Sequence, residues 1–339
     1  MNTPNDQSQA RPEDYGPPFP WTVEKTHAYT HAFNRHEEVK GHYFQRAIYA
    51  SLLWLVQRLS WSCAFHLANG IGRLLYLLRV RYQVAKVNLD IVYGDKKTEA
   101  EKLRIYHDSM ITFGRTIVSY LRIPVMDRKM WTENFPIRNE QILREDYNQG
   151  KGIVITAGHL GVWEVAAGRV GMGGYPISNV AKRQPNIVAD QLIVDLREAM
   201  NMGSIMHKDS MDRIRQGLRC GEGVILAVDQ NMKRDQGVFV SFLGRVASSP
   251  RANAWIWREA GCPAFCGYAA WREPKKFELV ITERVPWEPH PDDPEKELLI
   301  NTTHLIEAVE RVILGEPSLW FWLHRRWKVQ PDGVPNPYA

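Results

Sequence analysis

The chain has 339 residues, enough for one large domain or two ordinary ones with a full hydrophobic core. Its apolar fraction of 44% is near the globular average, which excludes a disordered chain and a polytopic membrane protein. A formal charge of +5 is too small to mark a nucleic-acid binder, but it suits a surface facing anionic lipid head groups.

Residues 1–40 form a polar, proline-bearing extension with no apolar core of a signal peptide. His27, His31, His36 and His42 fall there or just beyond, at irregular spacing. No carboxylate or thiol pattern completes a metal site around them, so a solvated tail and no bound metal are expected. Residues 41–125 read as a helical, membrane-anchoring region. The run 47–56 is almost unbroken apolar sequence, and a second run, 59–78, is broken by His66, Asn69 and Arg73. Neither is a clean span of about twenty residues. With Arg79, Arg81 and Lys86 following, they suit an anchor lying in or dipping into one leaflet from its cytoplasmic side, with a tilted span or a pair of buried core helices as alternatives. The 12 tryptophans fit an interfacial protein, although several are expected simply to fill the core.

From 98 to 122 apolar residues recur at helical spacing through Leu103, Tyr106, Met110, Phe113, Ile117 and Leu121, and Pro124 closes the helix. Residues 126–330 then change character, leaving 331–339 as a tail. Strands are expected at 152–157, 177–181, 224–228, 238–242, 264–271 and 277–282. Helices are expected at 163–170, 187–201, 210–219, 250–260 and 295–314. The alternation implies an α/β domain, continuous with the preceding helices, around a largely parallel or mixed central sheet. Cys63, Cys220, Cys262 and Cys266 form neither a disulfide ladder nor a zinc knuckle, so a reducing compartment is expected. Basic pairs such as Arg325-Arg326 lack the aromatic platform of an RNA module, so no nucleic-acid partner is expected.

The chemistry concentrates at Gly158-His159-Leu160-Gly161-Val162-Trp163-Glu164, between a strand and a helix. His159 stands at the carboxyl end of a buried strand, where open α/β sheets place ligands. Five residues along a helix would put His159 and Glu164 on different faces, at about 100° per residue. They converge only if His159 precedes the helix and Glu164 lies in its first turn, a path that Gly158 and Gly161 permit. A neutral imidazole there can take a proton from an attacking hydroxyl, and a carboxylate can hold its tautomer.

That heptapeptide resembles the Gly-His-x-Gly-Asn-Trp-Glu form of the bacterial lipid A late acyltransferases, within the glycerolipid and lysophospholipid acyltransferase superfamily. The resemblance runs over roughly residues 45–330. It includes an anchor-like stretch in 48–90, Lys182-Arg183 with Asn186, Asp190 and Arg197, Ala227-Val-Asp229-Gln230, the block 237–244, and the terminal block 322–328. It implies that His159 is the general base, that Glu164 orients it, and that Arg183, Asp229 and Gln230 bind substrate. A structural ion pair is the competing reading of Arg183, and a turn cap that of Asp229. No cofactor is implied. The donor would be acyl carrier protein, or acyl-CoA, and the acceptor a glycolipid hydroxyl, foremost a lipid A precursor, at the cytoplasmic face of the inner membrane. Another lipid acceptor (a phosphatidylinositol mannoside, an aminolipid or a lysophospholipid) or a non-catalytic lipid-binding relative are the alternatives. Val162 departs from the usual Asn, Ser241 from a common proline, and Gln236 from a frequent acid.

Overall fold

The computed structural model describes residues 35–150, 152–206 and 210–339. His27, His31 and the extension up to residue 34 lie outside the described residues. The chain starts with α1 (His36–Val39), α2 (Tyr43–Arg58), α3 (Trp61–Leu77), α4 (Tyr82–Tyr93), α5 (Glu99–Leu121) and α6 (Arg128–Thr132). It continues through β1 (Ile137–Arg138), α7 (Glu140–Asn148), β2 (Ile153–Ala157), α8 (Trp163–Met172), β3 (Ile177–Ala181), α9 (Ile187–Glu198), β4 (Met202–Met206), α10 (Ser210–Arg219) and β5 (Gly223–Ala227). Then follow β6 (Gly237–Phe242), β7 (Arg245–Pro250), α11 (Arg251–Ala260), β8 (Ala264–Glu273), β9 (Lys276–Arg284) and α12 (Pro294–Gly315).

Seven strands form one sheet in the order β1–β9–β8–β2–β5–β3–β4. Every neighbouring pair is parallel except β8 with β9. This is the mixed, mostly parallel sheet that the alternating pattern called for. Both faces are covered, because β2 contributes to two separate apolar layers. Val154 packs with residues of α10, α11 and α12, whereas Ile153 and Ile155 pack with α8 and α3. That split follows from the two-residue period of a strand.

Three strands were not readable in advance. β1 is only two residues long, and β4 reads Met-Gly-Ser-Ile-Met, with little β-branched content, at the sheet edge beside β3. β7 is small and polar, and it pairs only because a tight turn returns it onto β6 in a separate hairpin. Leu243 and Gly244 both have positive φ, 49° and 83°, the twist favoured between paired antiparallel strands.

The amino-terminal helices divide their roles. α5 begins with a reciprocal cap in which Thr98 and Glu101 bond each other's backbone amides. It crosses α3 at a contact that only glycine permits: a Cβ on Gly72 would lie 2.5 Å from Ile111 Cα, and one on Gly114 would lie 2.2 Å from Ala68 O. α3 therefore buries Ala64, Phe65 and Ala68 while exposing Leu67, Leu74 and Leu77. α2 buries only Val56 and turns Phe44, Ile48, Leu52 and Leu55 outward at helical spacing. Neither helix crosses a bilayer: at about 1.5 Å per residue, 16- and 17-residue helices fall short of a hydrocarbon core of about 30 Å. Among the described residues, no helix is long and apolar enough to cross a membrane. The tilted span allowed by the sequence is thus replaced by two shorter helices with a break at Leu59–Ser60.

Candidate active site

Sheet register builds the site. β2 and β5 run parallel with Ala157 opposite Ala227, and the ladder extends as Val228 N–H donates to Ala157 O at 2.9 Å. Two residues past each strand end, His159 and Asp229 stand side by side. His159 N–H donates to Asp229 Oδ2 at 2.8 Å, and the imidazole Nδ1 lies 2.9 Å from Asp229 Oδ1. Trp320 Nε1–H adds a third bond, to Oδ2 at 3.0 Å.

Those donors decide the charge of the carboxyl group. Burial pushes the Asp229 pKa up, but His159 and Trp320 outweigh it and hold the pKa down at about 2. An anionic carboxylate only accepts, so Nδ1 of neutral His159 carries the proton and Nε2 presents a lone pair. Burial disfavours the imidazolium, yet the charge and hydrogen bond of Asp229, with a lesser contribution from Glu164, raise the His159 pKa above its ordinary 6.5.

The loop bearing His159 is pinned by its own backbone. Leu160 N–H donates to Gly158 O, Gly161 N–H to Leu319 O, and Val162 N–H to Ala269 O. Gly161 has φ +60°, and a Cβ there would lie 1.8 Å from Ala269 O. No other residue fits. Trp163 and Phe321 stand beside the imidazole, with ring centroids 5.2 and 6.5 Å away. The side chain of His159 keeps 27% exposure, open to the cavity in front of it.

Glu164 is elsewhere engaged. It lies in the first turn of α8, as the sequence required, but its carboxylate takes two bonds from Arg197, Nη2 at 2.7 Å and Nε at 3.1 Å. Burial works against the Arg197 charge, but Glu164 outweighs it and raises the guanidinium pKa. The expected hydrogen-bonded pairing of His159 with Glu164 is therefore replaced by two pairs, His159–Asp229 and Glu164–Arg197. The reason is geometric: β5 delivers a carboxylate directly beside the ring, whereas α8 points Glu164 toward α9.

The remaining candidates separate. Gln230 Nε2 lies 3.1 Å from His159 Nε2 and 3.4 Å from Nδ1. Arg183 Nη1 makes an ion pair at 3.1 Å with Asp190, itself buried, which also accepts from Gln184 N–H at 2.7 Å. The adjacent cavity wall is formed by Lys182 and Gln184 rather than Arg183. That cavity holds about 400 Å³ and joins His159, Trp163, Glu164, Asn179, Arg197 and Gln230. Val162 points away from it, packed in the core at 1% exposure, and leaves α8 without a side-chain cap. Among the described residues no group of three or more His, Cys, Asp or Glu side chains is placed to hold a metal ion.

Sequence reading missed Trp320 as a partner of Asp229, since 91 residues separate them and no local pattern links them. It also missed the task of Arg197. A signal existed there: Asp190, Val194 and Arg197 share the buried face of α9, and a buried arginine demands a carboxylate. The terminal block 322–328 proves architectural in part. Arg326, fully buried, donates to Ser248 O at 2.7 Å and to Ser249 Oγ, and it sits over Phe242 at 4.4 Å. Burial holds His324 near pKa 4, and its Nε2 accepts from Asn231 N–H at 3.0 Å.

A mostly parallel sheet thus carries a carboxylate-bound imidazole at its strand ends, beside a cavity. Comparison with known proteins adds the family. Residues 32–329 match the family described as bacterial lipid A biosynthesis acyltransferase. The chain is 26% identical over 295 residues to a lipid A biosynthesis lauroyltransferase of Escherichia coli K12, covering 85% of this chain and 92% of that one. It is 25% identical over 279 residues to a lipid A biosynthesis acyltransferase of Haemophilus influenzae, covering 79% and 85%. Identity to the lipid A biosynthesis palmitoleoyltransferase of E. coli K12 is 21% over 290 residues, covering 85% and 92%. The chain belongs to the bacterial lipid A biosynthesis acyltransferase family, and it is an acyltransferase.

Proposed function

We propose that this protein transfers a fatty acyl group from an acyl thioester, with acyl carrier protein favoured as the carrier, to a hydroxyl of a glycolipid, foremost a lipid A precursor. The observation that carries the reading is His159 at a cavity wall with its Nδ1–H committed to Asp229, which leaves Nε2, 3.1 Å from the Gln230 amide nitrogen, as the basic nitrogen. His159 Nε2 takes the proton from the acceptor hydroxyl as that oxygen bonds to the thioester carbonyl carbon. The carbonyl π pair moves onto oxygen. When it returns, the carbon–sulfur bond breaks and the leaving thiolate receives the proton from Nε2. Asp229 fixes the tautomer and stabilises the imidazolium, as the acid of a hydrolase triad does. Glu164 acts through Arg197, fixing the floor of the cavity, and contributes field rather than a bond to His159. Arg183 holds Asp190 and so shapes the approach formed by Lys182 and Gln184.

The acyl chain has an apolar seam to enter. It lies between α8 and the sheet, lined by Gly158, Trp163, Ala166, Ala167, Gly267 and Ile281. Its free volume is about 40 Å³, so a chain must spread α8 from the sheet to occupy it. The acceptor lipid reaches the site from a membrane surface. The outward stripe of α2, together with Leu74, Leu77 and Leu78 and the basic Arg73, Arg79 and Arg81, supports a protein lying on the cytoplasmic leaflet of the inner membrane.

The test is purified protein with acyl–acyl carrier protein and a lipid A precursor, beside mass spectrometry of lipids from cells with and without the chain. Acylated product from the wild type and none from His159→Ala is expected. Product formed only from a phosphatidylinositol mannoside, aminolipid or lysophospholipid would move the acceptor assignment, and no turnover on any acceptor would favour a lipid-binding role.

A further inference from the structure

Transfer from a thioester puts negative charge on the carbonyl oxygen, and something must donate hydrogen bonds to it. The loop that carries His159 is the natural place to look, but its amides from 159 to 162 are already engaged. The amides of residues 159–162 are spent on Asp229 Oδ2, Gly158 O, Leu319 O and Ala269 O. The guanidinium of Arg197 is engaged by Glu164, with the Asn179 side-chain amide beside its two terminal nitrogens, and the indole of Trp320 by Asp229.

One side-chain donor touches the imidazole. The Gln230 carboxamide nitrogen is nearly equidistant from the two ring nitrogens, at 3.1 and 3.4 Å. At 3.1 Å it is within hydrogen-bond distance of Nε2, so a hydroxyl that comes to Nε2 takes over that contact and leaves the amide N–H beside the reacting carbonyl. A reacting carbon near Nε2 would have its oxygen within reach of this amide. Gln230 follows Asp229 in the chain, so the strand end that orients the base also sets the donor.

We propose that the Gln230 carboxamide is the oxyanion donor of the reaction, hydrogen-bonding the thioester carbonyl oxygen as it becomes negative. The inference rests on the acyl-transfer reading above. Gln230 is then a catalytic residue in the strict sense: it touches the reacting atoms and bonds more strongly to the transition state than to the ground state. Its two N–H groups allow one to stay near the imidazole while the other faces the carbonyl. The charge it stabilises exists only between attack on the carbonyl and loss of the thiolate.

The experiment compares wild type, His159→Ala, Gln230→Ala, Gln230→Glu and Gln230→Asn as full-length protein. Two rates are read with the same acyl–acyl carrier protein: transfer to the lipid precursor, and slower hydrolysis with water in place of the hydroxyl. Gln230→Ala and Gln230→Glu are expected to lower kcat about 10²-fold or more in both assays, the range for loss of one such donor, with KM for the thioester within about threefold. Gln230→Asn, which keeps a carboxamide on a shorter stem, is expected to recover part of the loss. The acid limb of the Gln230→Ala profile should stay at the wild-type position, because the base is intact. Wild-type kcat in Gln230→Ala beside an inactive His159→Ala overturns the donor and leaves the acyl-transfer reading standing. It would pass the role to the first-turn amides of α8. A Gln230→Ala defect confined to KM also overturns it. Full activity of His159→Ala overturns His159 as the base and, with it, the donor placed beside that base, while acyl transfer itself stands.

Discussion

His159 and Asp229 are 70 residues apart in sequence and share two hydrogen bonds, one from the imidazole and one from the backbone amide, at 2.9 and 2.8 Å. Ring and main chain are thus fixed by a single carboxylate. Replacing that carboxylate by Asn offers an amide N–H to Nδ1 and favours the wrong tautomer. Asp229→Asn is expected to lower kcat by about 10³–10⁴ with little change in KM, judging from the equivalent change in a hydrolase triad. Steady-state kinetics on the purified variant measures this.

The same pair sets the pH dependence. As the proposed base, His159 works only when neutral, so activity is expected to rise with pH through its raised pKa, with the acid limb of kcat/KM above 6.5. In Asp229→Asn the opposing charge is gone and burial remains, so the limb of the residual activity moves to lower pH. Stability follows the linkage signs. The stabilisation from the raised His159 pKa is fully present below 6.5 and is lost as pH rises through the folded value. The stabilisation from Asp229 is present above its ordinary 3.8 and is lost as pH falls toward about 2. Denaturant midpoints measured across pH should show both trends, and both should vanish in Asp229→Asn.

Glu164 and Arg197 form a largely buried pair, with side chains 21% and 8% exposed. Removing one partner strands the other charge. Arg197→Met is expected to destabilise the fold by about 3–5 kcal/mol, and Glu164→Gln by a similar or smaller amount. The double variant should be less destabilised than the sum of the two. Chemical denaturation of all four proteins gives the coupling. Additive losses would remove the pair as a structural unit.

The seam under α8 is bounded by two alanines, Ala166 and Ala167, each under 10% exposed. Ala166→Leu fills the seam proposed for the acyl tail, at a packing cost of about 1–3 kcal/mol. Competition between acyl thioesters of different length should show a shift toward shorter chains, with turnover of the shortest donor preserved. An unchanged preference would place the tail elsewhere.

Phe44 and Leu77 are 80% and 73% exposed, more than a core helix would leave in water. Phe44→Glu with Leu77→Glu should release the protein from anionic vesicles in a sedimentation assay without altering its denaturation midpoint. Loss of stability instead would mean that these faces are covered by protein.

Much of the site was legible because it is local. Gly158 to Glu164 announces a strand end, a glycine-shaped turn and a helix start, and the structure has all three there. The partner of His159 was not legible as such. Asp229 stands at its own strand end in the sequence, but pairing two strand ends requires knowing that β5 lies next to β2. Nothing in either segment states that, since β3 and β4 intervene in the chain. Glu164 is the carboxylate near His159 in sequence, whereas α8 aims it at Arg197.

The sequence alone therefore determined the family, the alternating α/β pattern, the turn at His159 and the absence of a clean apolar span. These follow from short-range spacing, from residue size and from block order. Tertiary structure alone decided which carboxylate holds the imidazole, which arginine takes Glu164, and that Trp320 completes the Asp229 shell. Those are long-range hydrogen bonds, set by strand order and register in the sheet, and strand order leaves no periodicity in the chain for a reader to find.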